Sequence, residues 1–524
     1  MATGTQERIV QPKLGPVGWA RWAWRNLTSM RTALFLLLLL SVAAVPGSIF
    51  PQRSIDAGRV ADYLASHGSI GVWMDRVGLF DVYASVWFSA IYLLLVVSLI
   101  GCIVPRSRIH WHTIRARPPR APQRLGRLEH HLELTYAGTP TEAIESARKA
   151  LRRRRFRVAS HDDSSISAEN GYLRETGNLV FHMAICVIIV GVAIGHLFGW
   201  RGDVILPAGG SFSSTLTTYD SFIPGPLSDP ENLSPFTIQL DQMDVRFEDK
   251  VGGSQLGAPR SFTAYMTTTE RPGATPEKHV VSPNNPVTLG GADVFLLGNG
   301  YAPVVTFKAA NGQVLYHQAT PFLAQDNNYT SVGTIKVGAA KPDGLAFSGV
   351  FLPTAEPSYQ NGPVSMFPDL ENPELALSIW QGDLYPGGRP QSVYTLNTSQ
   401  LTQVTKDDGK PLLIRLKPGQ SYELPGGRGT LTFDSVERFA GLSARVDPGK
   451  ELTLAAALAA LLGLVASLLV RRRRVFVRVA PASAGQAASG SGEPPRTVVT
   501  IGGLAKNADP GLATLLEQLR DELT

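Results

Sequence analysis

Residues 178–200 read NLVFHMAICVIIVGVAIGHLFGW. The run 179–200 is long enough to cross a bilayer as a helix, for which about 20 apolar residues suffice. His182 lies near its start. An ionisable side chain inside a lipid-spanning helix is costly, and this marks it as a candidate for function. Neutral imidazole is a common metal and haem ligand. A histidine bonded to a neighbouring helix, or reaching back to the interface, is the plain alternative, and the residues alone leave both open.

Three further apolar runs have span length: 32–50 (TALFLLLLLSVAAVPGSIF), 83–104 and 452–470. The first outruns a signal-peptide core and follows a basic leader with Trp19, Trp22 and Trp24, so it reads as a retained anchor. The leader holds Arg8, Lys13, Arg21, Arg25 and Arg31 against Glu7 alone. Segment 105–174 holds fifteen Lys or Arg against seven acids, and the fourth span stops at Arg471, Arg472, Arg473 and Arg474. The 51–82 loop has three arginines and four aspartates. The positive-inside rule then puts both termini and 105–174 in the cytoplasm.

The expected fold is an integral membrane protein with four transmembrane helices, a large extracytoplasmic all-β domain and a small cytoplasmic α+β segment. Its expected division is a cytoplasmic N-terminal segment 1–31, span 32–50, outer loop 51–82 and span 83–104. A basic cytoplasmic segment 105–178 with the α+β module follows, then span 179–200, the β domain 201–450, span 452–470 and a largely flexible cytoplasmic tail 471–524. The net charge of +6 averages a basic inside with an outer domain of eighteen bases and twenty-four acids. Basic segments beside a membrane set topology and touch anionic headgroups, so nucleic acid is not an expected partner.

Cys102 and Cys186 are the two cysteines, both inside spans, so the outer domain folds without disulfides. The sequence has no CxxC or CxxCH, no Walker A lysine motif, no GxSxG and no HExxH. Segment 128–174 reads as strand, helix, strand, with Thr139 or Thr141 as helix cap; alone it is marginal in size. Between 201 and 450, alternating and β-branched runs such as FTIQLDQMDVRFE (236–248) and ADVFLLGNGYAPVVTFKAA (292–310) are punctuated by Gly, Pro, Asn and Asp. That pattern indicates a sandwich or barrel with one or two cores. The Gly/Pro-rich stretch 331–371 reads as a long loop, and the tail as a low-complexity linker followed by a short helix near 510–523.

Cys186 follows His182 at i+4, too few ligands for a structural zinc site. His196 follows at fourteen residues, which brings it within about 40° of His182 on the helical wheel and about 21 Å further along. His182, Cys186, Ile189, Ala193 and His196 make one stripe, expected to face a ligand or partner. Gly191, Gly195 and Gly199 make a ladder on the opposite side, expected to pack on another helix. Near the outer interface His196 can also simply meet water and headgroups. His110, His112, His130 and His131 show no partner pattern, and His279 and His317 stand alone in the β region.

Five stretches carry a family likeness: LTSMRTALFLLLLLSVAAVPGSIFPQR (27–53), FDVYASVWFSAIYLLLVVSLIGC (80–102), RETGNLVFHMAICVIIVGVAIGHLFG (174–199), NNPVTLGGADVFLLGNGYAP (284–303) and VDPGKELTLAAALAALLGLVASLLVRRRRVFVRV (446–479). In their order around four spans they resemble the ResB (CcsB) family, a membrane subunit of System II cytochrome c biogenesis. The resemblance runs from about residue 24 to 479, leaving out the Gly/Pro stretch and the tail. It implies a ResC/CcsA-type membrane partner with a tryptophan-rich haem-handling segment, which this chain lacks. It implies transport of haem b outward and its attachment to CxxCH of exported apocytochrome c, with room for a thiol-reducing partner. By position it implies that His182 is the intramembrane haem ligand, with no catalysis by this subunit alone. His196 stands where the family pattern suggests a small or polar residue, which leaves its role open. The competing classes are a membrane-anchored receptor whose β domain binds an exported partner without haem chemistry, and a solute transporter. The transporter is disfavoured because the four spans show no internal repeat.

Overall fold

The computed structural model describes residues 15–55, 57–250, 255–356, 363–386, 394–406, 409–481, 495–505 and 508–524. Two compact units result: residues up to Gly191 together with Glu451 onward, and Val192–Lys450. Four helices are long and apolar enough to cross a membrane.

In the first unit α1 (Pro16–Leu27) precedes α2 (Met30–Ile49), whose start is capped by Ser29 accepting from the Thr32 amide at 3.2 Å. Next come α3 (Ala57–Val77), which kinks at Gly68 (φ 49°), and α4 (Val86–Arg115). The stretch between the first two spans, expected as a loop, is therefore largely helical. Phe50, Leu79 and Tyr63 pack round the buried Val60, Met74 and Phe80, and this small core is what orders it. α4 also outruns its apolar run and continues through Pro105. Its last carbonyls are held from outside the helix: Arg157 Nη2 donates to Ala116 O at 2.7 Å and Arg115 O at 3.3 Å. A cation there also suits the helix dipole. Against α4, the Ser98 hydroxyl donates to Leu27 O at 2.6 Å and the Cys102 thiol to Thr28 O at 2.8 Å, a packing role for that cysteine.

The α/β module forms from both ends of the chain. Strand His130–Ala137 is followed by α5 (Pro140–Arg153), with a Thr139/Glu142 capping box, and by strands Arg157–Asp162 and Ser165–Asn170. The sheet is completed by Arg473–Pro481 and Arg496–Ala505, in the order 130–137, 496–505, 473–481, 165–170, 157–162. This corrects the expectation of a largely flexible tail from 471. Leu512, Leu516 and Leu519 of α8 (Pro510–Leu523) are buried beside Leu151, Ile166, Val477 and Ile501, so the tail supplies the missing half of the core. Residues 482–494, where the linker was expected, lie outside the described residues.

α6 (Leu173–Phe198) and α7 (Lys450–Leu469) flank the second unit in sequence. That unit is antiparallel β throughout its described sheets. Two 17-residue strands, Ala292–Lys308 and Thr430–Val446, pair along their length and pass through two cores. Tyr301, Val305, Phe307, Leu431 and Phe433 belong to one core. Val294, Leu296, Ala440, Leu442 and Ala444 belong to the other. Stretch 331–371, expected as a loop, contains strands Ser331–Val337 and Gly344–Leu352. Gly333 there marks a close approach: a Cβ on it would lie 2.6 Å from the Phe322 ring.

Candidate functional site

α6 has two unlike faces. Gly177, Ala184 and Gly191 are buried at seven-residue intervals, which leaves successive members only about 20° apart on the wheel. On α7 the buried residues are Ala456, Ala460 and Gly463. A Cβ on Gly177 would come within 2.5 Å of Gly463 O, and one on Gly463 within 2.7 Å of Gly177 O. The helices thus meet backbone to backbone, which only small residues permit. The expected ladder is corrected in part. Gly191 is on the packed face, but a Cβ on Gly195 would strike the Asp447 side chain and one on Gly199 the Val446 carbonyl, so these two glycines meet the end of strand Thr430–Val446 and the residue after it, not a helix.

His182 lies half a turn from Gly191, about 180° round the wheel. Its ring is half-buried, and Met183 and Val190 nearby are exposed. The bond at 2.7 Å between Nδ1 and Asn178 O decides the tautomer. A carbonyl only accepts, so Nδ1 carries the proton and Nε2 keeps its lone pair. Among the described residues no hydrogen bond reaches Nε2. Phe181 stands edge-on to the imidazole at 5.1 Å. An imidazole oriented through one nitrogen with the other free is the arrangement of a metal-ligating histidine. No group of three or more His, Cys, Asp or Glu that could hold a metal ion occurs among the described residues. Haem iron needs a single axial nitrogen from this helix, so the donor set fits haem and not structural zinc. Cys186 is half-buried on the same stripe. His196 is exposed near the end of α6 and makes no side-chain hydrogen bond among the described residues.

Seven residues before His182, and so on the same stripe, stands Glu175. Around it is a polar cluster that sequence reading missed. His110, on the buried side of α4, has Nε2 at 2.9 Å from Thr176 Oγ1 and Nδ1 at 3.5 Å from Glu175 Oε2. Thr176 already donates to Tyr172 O at 3.1 Å, so the imidazole is the donor in the His110–Thr176 bond. Arg472, its side chain 10% exposed, donates from Nη1 to Glu175 at 2.5 Å and stacks over Tyr172 at 4.9 Å. Glu169 accepts from the Arg474 guanidinium and from the Tyr172 hydroxyl. Burial and the Glu169 carboxylate push that phenol up to about 12. The available signal was an acid in the first turn of a span, two turns from an intramembrane histidine; Arg471–Arg474 looked like a topology signal only.

The β unit has its own cleft of about 460 Å³, lined among others by Ile205, Pro207, Tyr316, Lys336, Tyr385 and Tyr394. Burial lowers the affinity of the Lys336 amine for its proton. Burial, then the hydrogen bond with Asp220, raises the Tyr394 phenol. Residues 316, 336 and 205 come from three different strands.

Comparison with known proteins accords with this architecture. Residues 30–517 match the model of the ResB-like family. The chain belongs to that family. Among its relatives is the cytochrome c biogenesis protein CcsB of Synechococcus sp. (strain CC9311), 24% identical over 505 residues, covering 94% of this chain and 96% of that protein. The CcsB of Synechococcus sp. (strain WH7803) is 25% identical over 415 residues, 76% of this chain and 86% of that protein. The ResB-like match reaches through the C-terminal strands and into α8, so the tail left out of the sequence likeness is part of the family's extent.

Proposed function

We propose that this chain takes part in cytochrome c biogenesis as one half of a membrane complex that carries haem b across the bilayer. In this reading a ResC/CcsA-type protein is the other half, and the pair attaches haem to CxxCH of exported apocytochrome c, with a thiol-reducing partner keeping those cysteines reduced. The spans lie in the cell membrane, both termini and the α/β module are cytoplasmic, and the β domain is extracytoplasmic, as the distribution of Lys and Arg suggests.

The observation that carries the reading is the state of His182. Its Nδ1–H is committed to Asn178 O, and Nε2 is left as a nitrogen lone pair on the α6 stripe that also carries Glu175 and Cys186. Haem is cargo here, and the imidazole holds its iron during transfer. His196 is the lesser candidate, because its exposed ring lacks an orienting bond. The tyrosine-lined cleft supports apocytochrome binding by the β domain, since aromatic clefts between strands suit extended chains. The test is His182→Ala in the full-length chain, judged by haem absorption of the purified protein and by holocytochrome yield. Haem retention should fall while insertion is unchanged, and added imidazole should restore part of the yield. Full haem content in the alanine variant would overturn the assignment.

A further inference from the structure

The cluster beside Glu175 holds more donor capacity than its partners use. Arg472 gives Nη1 to Glu175, yet Nε and Nη2 are buried without a hydrogen-bond partner among the described residues. The Glu169 carboxylate stands at 3.6 Å from Nη2, beyond hydrogen-bond reach. An arginine edge of this kind matches the two oxygens of a carboxylate. Buried donors are seldom left unsatisfied without a functional cause. Next to them is a cavity of about 350 Å³ lined by Glu175, Arg472, Arg474, Leu504 and Ala505.

We infer that Arg472 receives a propionate carboxylate of the haem whose iron His182 holds. Glu175 and His182 are seven residues apart on α6, about 10 Å along the axis and within about 20° on the wheel. That is of the order of the span from a haem iron to its propionates. A flat apolar macrocycle lying along this stripe from His182 therefore brings its only anionic groups toward the end where the unsatisfied donors are. Glu175 holds Arg472 oriented while no cargo is present, and the incoming carboxylate takes the unused nitrogens. The cluster sorts cargo by charge: a porphyrin without free carboxylates leaves the donors unmet. The inference rests on the reading of His182 as the haem ligand.

The experiment titrates the purified full-length chain with ferric haem b and, separately, with haem b dimethyl ester, followed by Soret absorption. Haem b should bind about tenfold more tightly than the diester, the gain of one charge-assisted hydrogen bond. Arg472→Gln should bind the two equally, with the Soret maximum of the bound form unchanged. Arg472→Lys, which keeps the charge but loses the fork, should retain part of the preference. His182→Ala should lose the imidazole-type spectrum with both ligands. Equal affinity of the unmodified chain for the two porphyrins overturns the inference and leaves His182 as ligand standing. An undiminished preference in Arg472→Gln does the same. An unmodified chain that binds neither porphyrin through imidazole overturns the His182 reading and the inference together.

Discussion

Replacing Asp509 by asparagine should loosen the C-terminal half of the α/β module by an amount the structure supplies. Asp509 is buried, its side chain 3% exposed, and accepts from Arg473 Nε at 2.6 Å, Arg473 Nη2 at 3.0 Å and Arg471 Nη1 at 2.7 Å. It also caps α8 by accepting from the Gly511 amide at 3.2 Å. Asparagine keeps the cap and discards the charge. Hydrogen bonding to Arg473, then to Arg471, lowers the carboxyl to about 2 from an ordinary 3.8. A difference of that size corresponds to about 2 kcal/mol. This is an upper figure, because Arg471 is more than half exposed and screened by solvent. The folded-state value is the depressed one. The contribution is therefore complete above the unfolded pKa near 3.8 and is lost as pH falls toward about 2. Hydrogen exchange of strand Arg496–Ala505 in the full-length chain reads it directly. Asp509→Asn should speed exchange by at most about thirtyfold at neutral pH, and the two proteins should converge in acid. Equal protection at neutral pH, or a difference that persists below pH 2, would refute the charge argument.

Two other outcomes are expected. Gly463→Val places side-chain atoms where Gly177 O and the Phe181 amide already lie within 2.8 Å of a Cβ, so α6 and α7 should separate. The cost is about 1–3 kcal/mol, seen as a lower melting temperature in detergent, whereas Leu462→Val on the exposed side should be silent. For the β domain, a photocrosslinker at position 316 or 385 should capture an apocytochrome segment containing CxxCH. Crosslinks confined to the partner subunit would reject a role for this cleft.

Chain pattern alone determined the four apolar helices, because span length and hydropathy are local properties that lipid imposes on any sequence. It also determined the β character of 201–450, where alternation with period two is written residue by residue, and it singled out His182. Tertiary structure decided what depended on distant residues meeting. The tail from 473 looked flexible because a lone strand and helix cannot bury Val477, Ile501 and Leu516, and only pairing with 130–137 and 165–170 gives them a core. Gly195 looked like a helix contact because wheel geometry cannot tell a neighbouring helix from the Asp447 side chain. His110 and Arg472 are more than 350 residues apart in the chain, and no local pattern could join them at Glu175. The imidazole was legible as an ionisable group inside a span. Its free nitrogen is a property of the folded helix, since the bond from Nδ1 to Asn178 O exists only once the turn has formed.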